Sequence, residues 1–222
     1  MNASPRITVS YAQSLDGRIA TSMGDSRWIS CPRTLTLSHR LRRDHQVILV
    51  GIGTVLRDDP ELSCRLRCSS RSPLRAILDS HLRLPPDSTI VRTCSKYPTI
   101  VYTVPAPRAG RCEELEQAGV QVCAVDADAR GRVAVSAVVE DLAERGYRSI
   151  FVEGGAEVIT SFLRAGLVSR MIVVTAPIIL GRGVEAIGDL GITRLAEALR
   201  PLKSRTRRLG SDRVWELIFD ES

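Results

Sequence analysis

Several kinds of side chain are scarce in this sequence. Aromatic residues make up 4% of the 222 residues, and histidine occurs only at His39, His45 and His81. Since the bases of single strands stack on aromatic side chains, so few aromatics argue against a nucleic-acid partner. The histidines do not cluster and form no Ser/His/Asp or Cys/His pattern, so we expect neither a nucleophilic triad nor a bound metal.

Long apolar runs and closely paired cysteines are missing too. No stretch of about 20 apolar residues occurs, so we expect no membrane-spanning helix. The first residues lack the apolar region of a signal peptide. Of the six cysteines, Cys64 and Cys68 alone lie close together in sequence, and no Cys-x-x-Cys pair occurs, so structural zinc is not expected. These features predict a cytoplasmic protein.

The positive charge of the chain is almost all arginine. The formal net charge is +6, and Lys96 and Lys203 are the only lysines. Because the planar guanidinium matches the geometry of phosphate oxygens, this composition suits small ligands that carry phosphate.

Strand and helix patterns alternate along the chain. The β-branched run Ile7–Gln13 and the short apolar run Val47–Val50 indicate strands, and the second is typical of a buried parallel sheet. Pro32 fits the first turn of a helix that reaches about Asp44. Further strands are predicted at Leu74–Leu78, Thr99–Thr103, Gln121–Val125, Ser149–Val152, Arg170–Ala176 and Val214–Phe219, and further helices near Gly53, over Arg111–Ala118, from a Ser136 cap to Arg145, and from Gly155 to about Gly166.

This order of elements predicts an α/β fold in a single domain over residues 1–222. Repeated strand–helix–strand units favour a mostly parallel central sheet with helices on both faces. The stretch near the C-terminus has few helix signals, so we expect antiparallel edge strands there.

Two glycine turns follow predicted strands and open helices. In Glu153-Gly154-Gly155 the paired glycines would let the backbone approach a ligand, and the first amides of a helix bind phosphate. Gly51-Ile52-Gly53-Thr54 repeats the arrangement, and Asp58 and Asp59 could accept hydrogen bonds from sugar hydroxyls. The alternatives are a packing turn at the first site and a helix stop at Asp59-Pro60. Two such turns in one α/β chain favour a nucleotide at the carboxyl ends of strands.

A third segment, Ser14–Ala20 followed by Gly24–Ser30, combines glycines with Trp28. A loop of this kind can close over a planar ring and exclude water, which assists hydride transfer. The alternative is that Trp28 anchors the core. Arg42 and Arg65 are candidate phosphate ligands, although each alone is more often a solvated surface charge.

Five segments taken together resemble the reductase domain of riboflavin biosynthesis. They are S-L-D-G-R-I-A, V-G-I-G-T-V-L-R-D-D-P-E-L, I-L-D-S-H-L-R-L-P, V-E-G-G and A-P-I-I-L-G. The resemblance covers almost the whole chain, and the family forms part of bacterial bifunctional deaminase–reductases and a separate enzyme in archaea and fungi. It implies a dihydrofolate-reductase-like fold, a homodimer, NADPH as cofactor, and reduction of the ribosyl group of a pyrimidine nucleotide to ribityl.

The resemblance also implies the residues of the site. Glu153 would be the catalytic residue, orienting the amine or the sugar hydroxyls or assisting proton transfer. Substrate contacts would come from Ser26, Arg42, Leu62, Arg65 and Glu153, with Arg42 or Arg65 at the 5′-phosphate. Cofactor contacts would come from Ala12, Trp28, Thr54, Asp58, Ser80, Gly154, Gly155, Ala156, Glu157 and Val158.

The resemblance leaves two substrates open. The chain lacks the His-x-Glu and Pro-Cys-x-x-Cys signature of the zinc deaminase and has Ser10 where bifunctional members tend to carry lysine. Both differences resemble the archaeal type, so we expect the 2,5-diamino compound, with the deaminated 5-amino-6-(5-phosphoribosylamino)uracil as the alternative. The other functions considered are a dihydrofolate reductase and a non-catalytic module that binds nucleotides or nucleic acid.

Overall fold

The buried strands of the chain fall in two compact units. The computed structural model describes residues 4–66, 72–105 and 110–220. One unit comprises Met1–Pro5 and His39–Phe151, and the other comprises Arg6–Ser38 and Val152–Ser222. The single domain predicted over residues 1–222 stays a prediction. Two elements run along the chain from one unit into the other, helix α1 (Pro32–Asp44) and strand β7 (Ser149–Glu153).

The unit of residues 39–151 is built on a parallel sheet. Its strands are hydrogen-bonded in chain order, and residues 47–50 and 99–103 are buried, as the sequence pattern predicts for internal parallel strands. The elements are β3 (Val47–Gly51), α2 (Ile52–Asp58), β4 (Leu74–Leu78), α3 (Thr89–Arg92), β5 (Thr99–Thr103), α4 (Arg111–Gln117), β6 (Gln121–Ala124) and α5 (Val135–Glu144).

The other unit combines parallel and antiparallel pairing. Strand β1 (Arg6–Gln13) pairs in parallel with β8 (Arg170–Thr175), which pairs antiparallel with β11 (Asp212–Ile218), and β10 (Lys203–Leu209) pairs antiparallel with β11. The α/β class and the antiparallel strands near the C-terminus are thereby confirmed. The remaining elements are β2 (Arg18–Thr21), α6 (Ala156–Arg164), β9 (Gly183–Glu185) and a 3₁₀ turn at Leu195–Glu197, with β2 and β9 forming a small antiparallel sheet.

Most helix ends lie where the sequence predicts them. Helix α2 stops before Asp59, whose φ of 39° is left-handed, and Gly146 follows α5 with a φ of 87°. The predicted Ser136 cap is wrong, because α5 begins one residue earlier, at Val135. Val135 is the first member of the buried apolar stripe of α5, so burial of that stripe includes it in the helix. No helix in the described ranges is long and apolar enough to cross a membrane.

Strand β10 has no counterpart among the predicted strands. Its sequence is mostly charged and its residues 203–208 are exposed, so it lacks the alternation of apolar and polar residues that predicts a strand. It is held by pairing with β11 along its whole length, from Lys203 with Ile218 to Leu209 with Asp212. The usable signal was Gly210-Ser211, a two-residue hairpin connection.

Candidate active site

The predicted site residues are distributed over both units and are described within each. The unit of residues 39–151 contains Arg42, Thr54, Asp58, Leu62, Arg65 and Ser80, and the other unit contains Ala12, Ser26, Trp28, Glu153 and the Gly154–Val158 turn.

The turn after β7 has the open backbone that the sequence predicts. Gly154 and Gly155 have φ values of 77° and 81°, which glycine alone adopts without strain. A Cβ at Gly154 would meet nothing within 4 Å. Helix α6 follows directly, and its N-cap Gly155 gives its first amides no side-chain hydrogen bond. The backbone here therefore suits a phosphate at the positive end of the helix dipole.

The residues on either side of the two glycines differ in charge and burial. Glu153 is half-buried at the end of β7, while Glu157 is exposed in the first turn of α6 and adds a negative charge that opposes an anion there. Ala156 is half-buried, and Val158 is buried in the apolar face of α6, so a ligand would reach Val158 through its backbone.

Trp28 lies on an exposed loop. Its side chain is 69% exposed, so the alternative that it anchors the core is wrong. Ser26 is half-buried in the same loop. The loop is fixed where it enters α1, because the Cys31 backbone N–H donates to Asp212 Oδ2 at 2.8 Å. An exposed indole on an anchored loop is suited to covering a planar ring.

Asp16 joins the loop after β1 to the loop after β8. Its Oδ1 accepts from the Ser14 hydroxyl at 2.6 Å and from the Leu180 N–H at 3.1 Å, and its Oδ2 accepts from the Gly181 N–H at 2.7 Å. These donors, the Ser14 hydroxyl foremost, lower the pKa of Asp16 to about 2. The motifs S-L-D-G-R-I-A and A-P-I-I-L-G, which are far apart in sequence, are thus joined by hydrogen bonds in the fold. Ala12 pairs with Val174 just before these loops.

The two adjacent aspartates at the end of α2 have different positions, since Asp58 is the last residue of the helix and Asp59 is its C-cap. Asp59 accepts from the Thr89 backbone N–H and hydroxyl, each at 2.7 Å, so it holds α3 and the helix-stop interpretation is confirmed for it. Asp58 is half-buried at the end of α2. A Cβ at Gly53 would meet nothing within 4 Å, so the backbone beside half-buried Thr54 is open.

The stretch of residues 60–66, the 60–66 segment, brings Arg42, Leu62 and Arg65 together. Arg42 Nη1 donates to the Ser63 carbonyl at 3.0 Å, and the Arg65 backbone N–H donates to His39 Nδ1 at 3.3 Å. The Arg65 residue is exposed, whereas Arg42 is half-buried. Leu62 is only 2% exposed and has a φ of 55°, so it is a buried residue in a left-handed backbone conformation.

Ser80 is held at the carboxyl end of β4. Its Oγ accepts from the Val133 N–H at 3.0 Å, and its carbonyl accepts from the Thr103 hydroxyl at 3.2 Å. The neighbouring Asp79 is fully buried, and its Oδ2 accepts from the Leu84 N–H at 2.8 Å. Burial raises the pKa of Asp79. Ser80 therefore lies in a turn that its own and its neighbour's hydrogen bonds fix.

Two residues with structural importance were not predicted as site residues. Asp16 entered the sequence argument only as part of the S-L-D-G-R-I-A segment, and Arg75 not at all. The usable signal for Arg75 was a charge inside the apolar strand Leu-Arg-Ala-Ile-Leu. Among the residues that the structure describes, no three His, Cys, Asp or Glu side chains lie close enough to hold a metal ion.

Comparison with known proteins assigns the chain to a family. The sequence profile of the RibD C-terminal domain matches residues 5–212. The chain belongs to the RibD C-terminal domain family. It is 37% identical over 210 residues to riboflavin biosynthesis protein RibD of Aquifex aeolicus, covering 95% of this chain and 56% of that relative. The chain spans about half the length of the RibD relatives that it matches.

A second relative has nearly the length of this chain. The chain is 33% identical over 216 residues to the 2,5-diamino-6-ribosylamino-4(3H)-pyrimidinone 5′-phosphate reductase of Methanothermobacter thermautotrophicus, covering 96% of this chain and 97% of that relative. The RibD C-terminal domain family is therefore represented both inside longer proteins and by chains of this size.

The predicted dihydrofolate-reductase-like fold is confirmed. The structure is similar to that of dihydrofolate reductase from Enterococcus faecalis complexed with NADP(H) and RAB-propyl, with a TM-score of 0.51 and coverage of 97% of each chain. The two sequences are 14% identical, so the likeness concerns the fold alone.

We predict that Asp16→Asn weakens the fold of this RibD C-terminal domain in a pH-dependent way. Because the pKa of Asp16 is about 2 in the folded chain and about 3.9 in an unfolded one, its contribution is present above about pH 4 and is lost as the pH falls towards 2. The difference in urea midpoint between the wild type and Asp16→Asn should shrink as the pH falls from 5 towards 3.

Asp25→Asn is the matched control, because Asp25 is also exposed in the same unit and accepts from the neighbouring Arg27 N–H at 3.2 Å rather than from a distant loop. Its effect on the urea midpoint should be smaller. An Asp16→Asn difference that stays constant from pH 5 to 3 would contradict the role of the carboxylate.

Proposed function

We propose that the chain is an NADPH-dependent reductase that converts the ribosyl group of 2,5-diamino-6-ribosylamino-4(3H)-pyrimidinone 5′-phosphate to ribityl in riboflavin biosynthesis. The observation that carries this proposal is the end-to-end similarity to the Methanothermobacter relative of that name, of which the chain covers 97%. On the structural side it is supported by the open glycine turn next to the Glu153 carboxylate. We expect the reaction to take place in the cytoplasm, without a nucleic-acid or membrane partner.

The glycine turn after β7 fits a dinucleotide cofactor. NADPH carries a pyrophosphate, which the open backbone at Gly154 and the start of α6 suit. When bound, the cofactor supplies a hydride. We assign Trp28 the task of covering its ring and excluding water. The other proposed cofactor contacts are Ala12, Thr54, Asp58, Ser80, Ala156, Glu157 and Val158.

The proposed reaction requires one proton donor at the substrate. The glycosylamine opens to an imine, then C1′ receives a hydride and the imine nitrogen receives a proton, which gives the ribitylamine. Glu153 is proposed to hold the amine or the sugar hydroxyls and to assist that proton transfer. Glu153 is the last residue of β7 and directly precedes the Gly154 turn, so the strand fixes its backbone.

The substrate phosphate is assigned to Arg65 rather than to Arg42. Arg42 uses a guanidinium N–H on the Ser63 carbonyl, while Arg65 is exposed on the same segment. An exposed guanidinium can offer its fork of donors to a phosphate without leaving a backbone carbonyl unpaired. Ser26 and Leu62 are the other proposed substrate contacts.

The deaminated compound is the second candidate substrate. It is favoured by the higher identity of the chain to RibD of Aquifex aeolicus, 37%, than to the archaeal relative, 33%.

We predict NADPH oxidation with a ribosylaminopyrimidine 5′-phosphate. The assay compares the diamino compound, the deaminated compound and dihydrofolate, and the highest kcat/KM is expected with the diamino compound. A preference for the deaminated compound would favour the second candidate, and turnover of dihydrofolate alone would favour a dihydrofolate reductase. NADPH binding without turnover of any of the three would refute the enzyme and favour a binding module.

Glu153→Gln is predicted to lower kcat by roughly 10²-fold, because a positioned proton donor contributes 10² or more. NADPH affinity, measured by fluorescence, should change little, since the glycine turn is intact. Glu144→Gln is the control, because Glu144 is exposed in α5 and has no proposed contact with a ligand. Unchanged kcat in Glu153→Gln would remove Glu153 from the mechanism.

We also propose that the chain forms a homodimer. Four aliphatic side chains are exposed within eleven residues of one unit, namely Ile192, Leu195, Leu199 and Leu202. Soluble monomers rarely expose dense apolar surface, so this stretch is the proposed subunit contact.

Light scattering is expected to give a mass of twice 24.3 kDa for the wild type and a shift towards 24.3 kDa for Leu195→Glu. Met23→Glu, which changes a still more exposed apolar side chain elsewhere in the same unit, should keep the dimer mass. A wild type of monomer mass would refute the dimer.

A further inference from the structure

A positive charge is buried inside the unit of residues 39–151. Arg75 lies in β4 and its side chain is completely buried. No ion pair in the described ranges includes it, and burial lowers the pKa of its guanidinium to about 10. The negative charge of Glu61 offsets part of that effect, but without a salt bridge the guanidinium persists in the interior only where hydrogen bonds replace its hydration.

The guanidinium finds those hydrogen bonds on three separate stretches of backbone. Nη1 donates to the Glu61 carbonyl at 3.1 Å, and Nη2 donates to the carbonyls of Ile90 at 2.8 Å and Tyr97 at 2.9 Å. Its remaining acceptors are the hydroxyls of Thr93 and Thr99. Arg75 therefore connects the start of the 60–66 segment to α3 and to the chain leading into β5.

The 60–66 segment needs such a support because of Leu62. A φ of 55° is unfavourable for a residue with a Cβ, so the surrounding structure must impose it. The carbonyl before Leu62, that of Glu61, is held by Arg75, and the carbonyl after it, that of Ser63, is held by Arg42 at 3.0 Å. Two guanidinium groups thus bracket the strained residue.

We propose that Arg75 is a positioning residue for substrate binding, because it fixes the backbone that presents Leu62 and Arg65. This inference rests on the proposed function, in which those two residues contact the pyrimidine nucleotide. Arg75 itself is too deeply buried to touch a ligand. A lysine cannot replace it, because a single ammonium cannot span acceptors on opposite sides of a planar fork.

The test is the kinetics of Arg75→Lys. The KM for the pyrimidine substrate should rise about tenfold, as expected for the loss of one or two hydrogen bonds to a charged group, while kcat and the KM for NADPH stay within about twofold. Arg148→Lys is the matched control, since Arg148 also donates to carbonyls of this unit, those of Ala143 and Tyr147. It should leave both KM values unchanged. An equal loss for both substrates, or a fall in kcat alone, would overturn the positioning role.

Amide hydrogen exchange without substrate separates this inference from the proposed function. Arg75→Lys should speed exchange in the 60–66 segment about tenfold relative to Arg148→Lys. An inactive wild type refutes the proposed function, yet unchanged exchange in Arg75→Lys overturns the inference whatever the activity. If Arg75→Lys does not fold, Thr93→Val removes one acceptor of Nη1 and should give a smaller rise in the same segment; no rise overturns the inference.

Discussion

The buried guanidinium of Arg75 is the interaction on which the geometry of the unit of residues 39–151 depends. Parallel strands pair through their own backbones, but the connections that follow them end with carbonyls that no strand can satisfy. Arg75 collects three such carbonyls in one plane, from Glu61, Ile90 and Tyr97. Its charge is expensive to bury, and a neutral side chain could not donate to so many acceptors at once. The strand that carries it thereby fixes connections on both sides.

In the other unit, a negatively charged side chain satisfies loop backbone groups. Its loops after β1 and β8 leave backbone N–H groups unpaired, and the Asp16 carboxylate accepts from those of Leu180 and Gly181. A carboxylate has acceptor positions only, so it suits amides as an arginine suits carbonyls. Asp16 differs from Arg75 in being exposed, and the hydrogen bonds that it accepts, the one from Ser14 first, lower its pKa. In each unit a single ionised side chain therefore fixes loop backbone: Asp16 does so in the loops after β1 and β8, and Arg75 in the connections that lead into β4 and β5.

Local sequence patterns predicted most of the helices and strands, but they did not predict the contacts of Arg75 and Asp16. The buried strand Val47–Val50 and the helix stop at Asp59 follow from apolar runs and backbone preferences within a few residues. The bond between Asp16 and Leu180 joins positions 164 residues apart, and nothing in either motif specifies the other. Strand β10 escaped prediction for a related reason, because its place is set by its partner β11 and not by an apolar face.

The two candidate phosphate ligands illustrate what a structure adds to a motif. In the sequence, Arg42 and Arg65 are equivalent cations, since either guanidinium matches a phosphate. In the fold, Arg42 donates to Ser63 and so belongs to the support of the 60–66 segment, while Arg65 is carried on that segment and remains exposed. A charge that already satisfies a backbone carbonyl would leave that carbonyl unpaired on turning to a ligand, and this cost favours the exposed partner. Supporting and binding roles are therefore divided between two arginines by their neighbours, although the side chains are chemically the same.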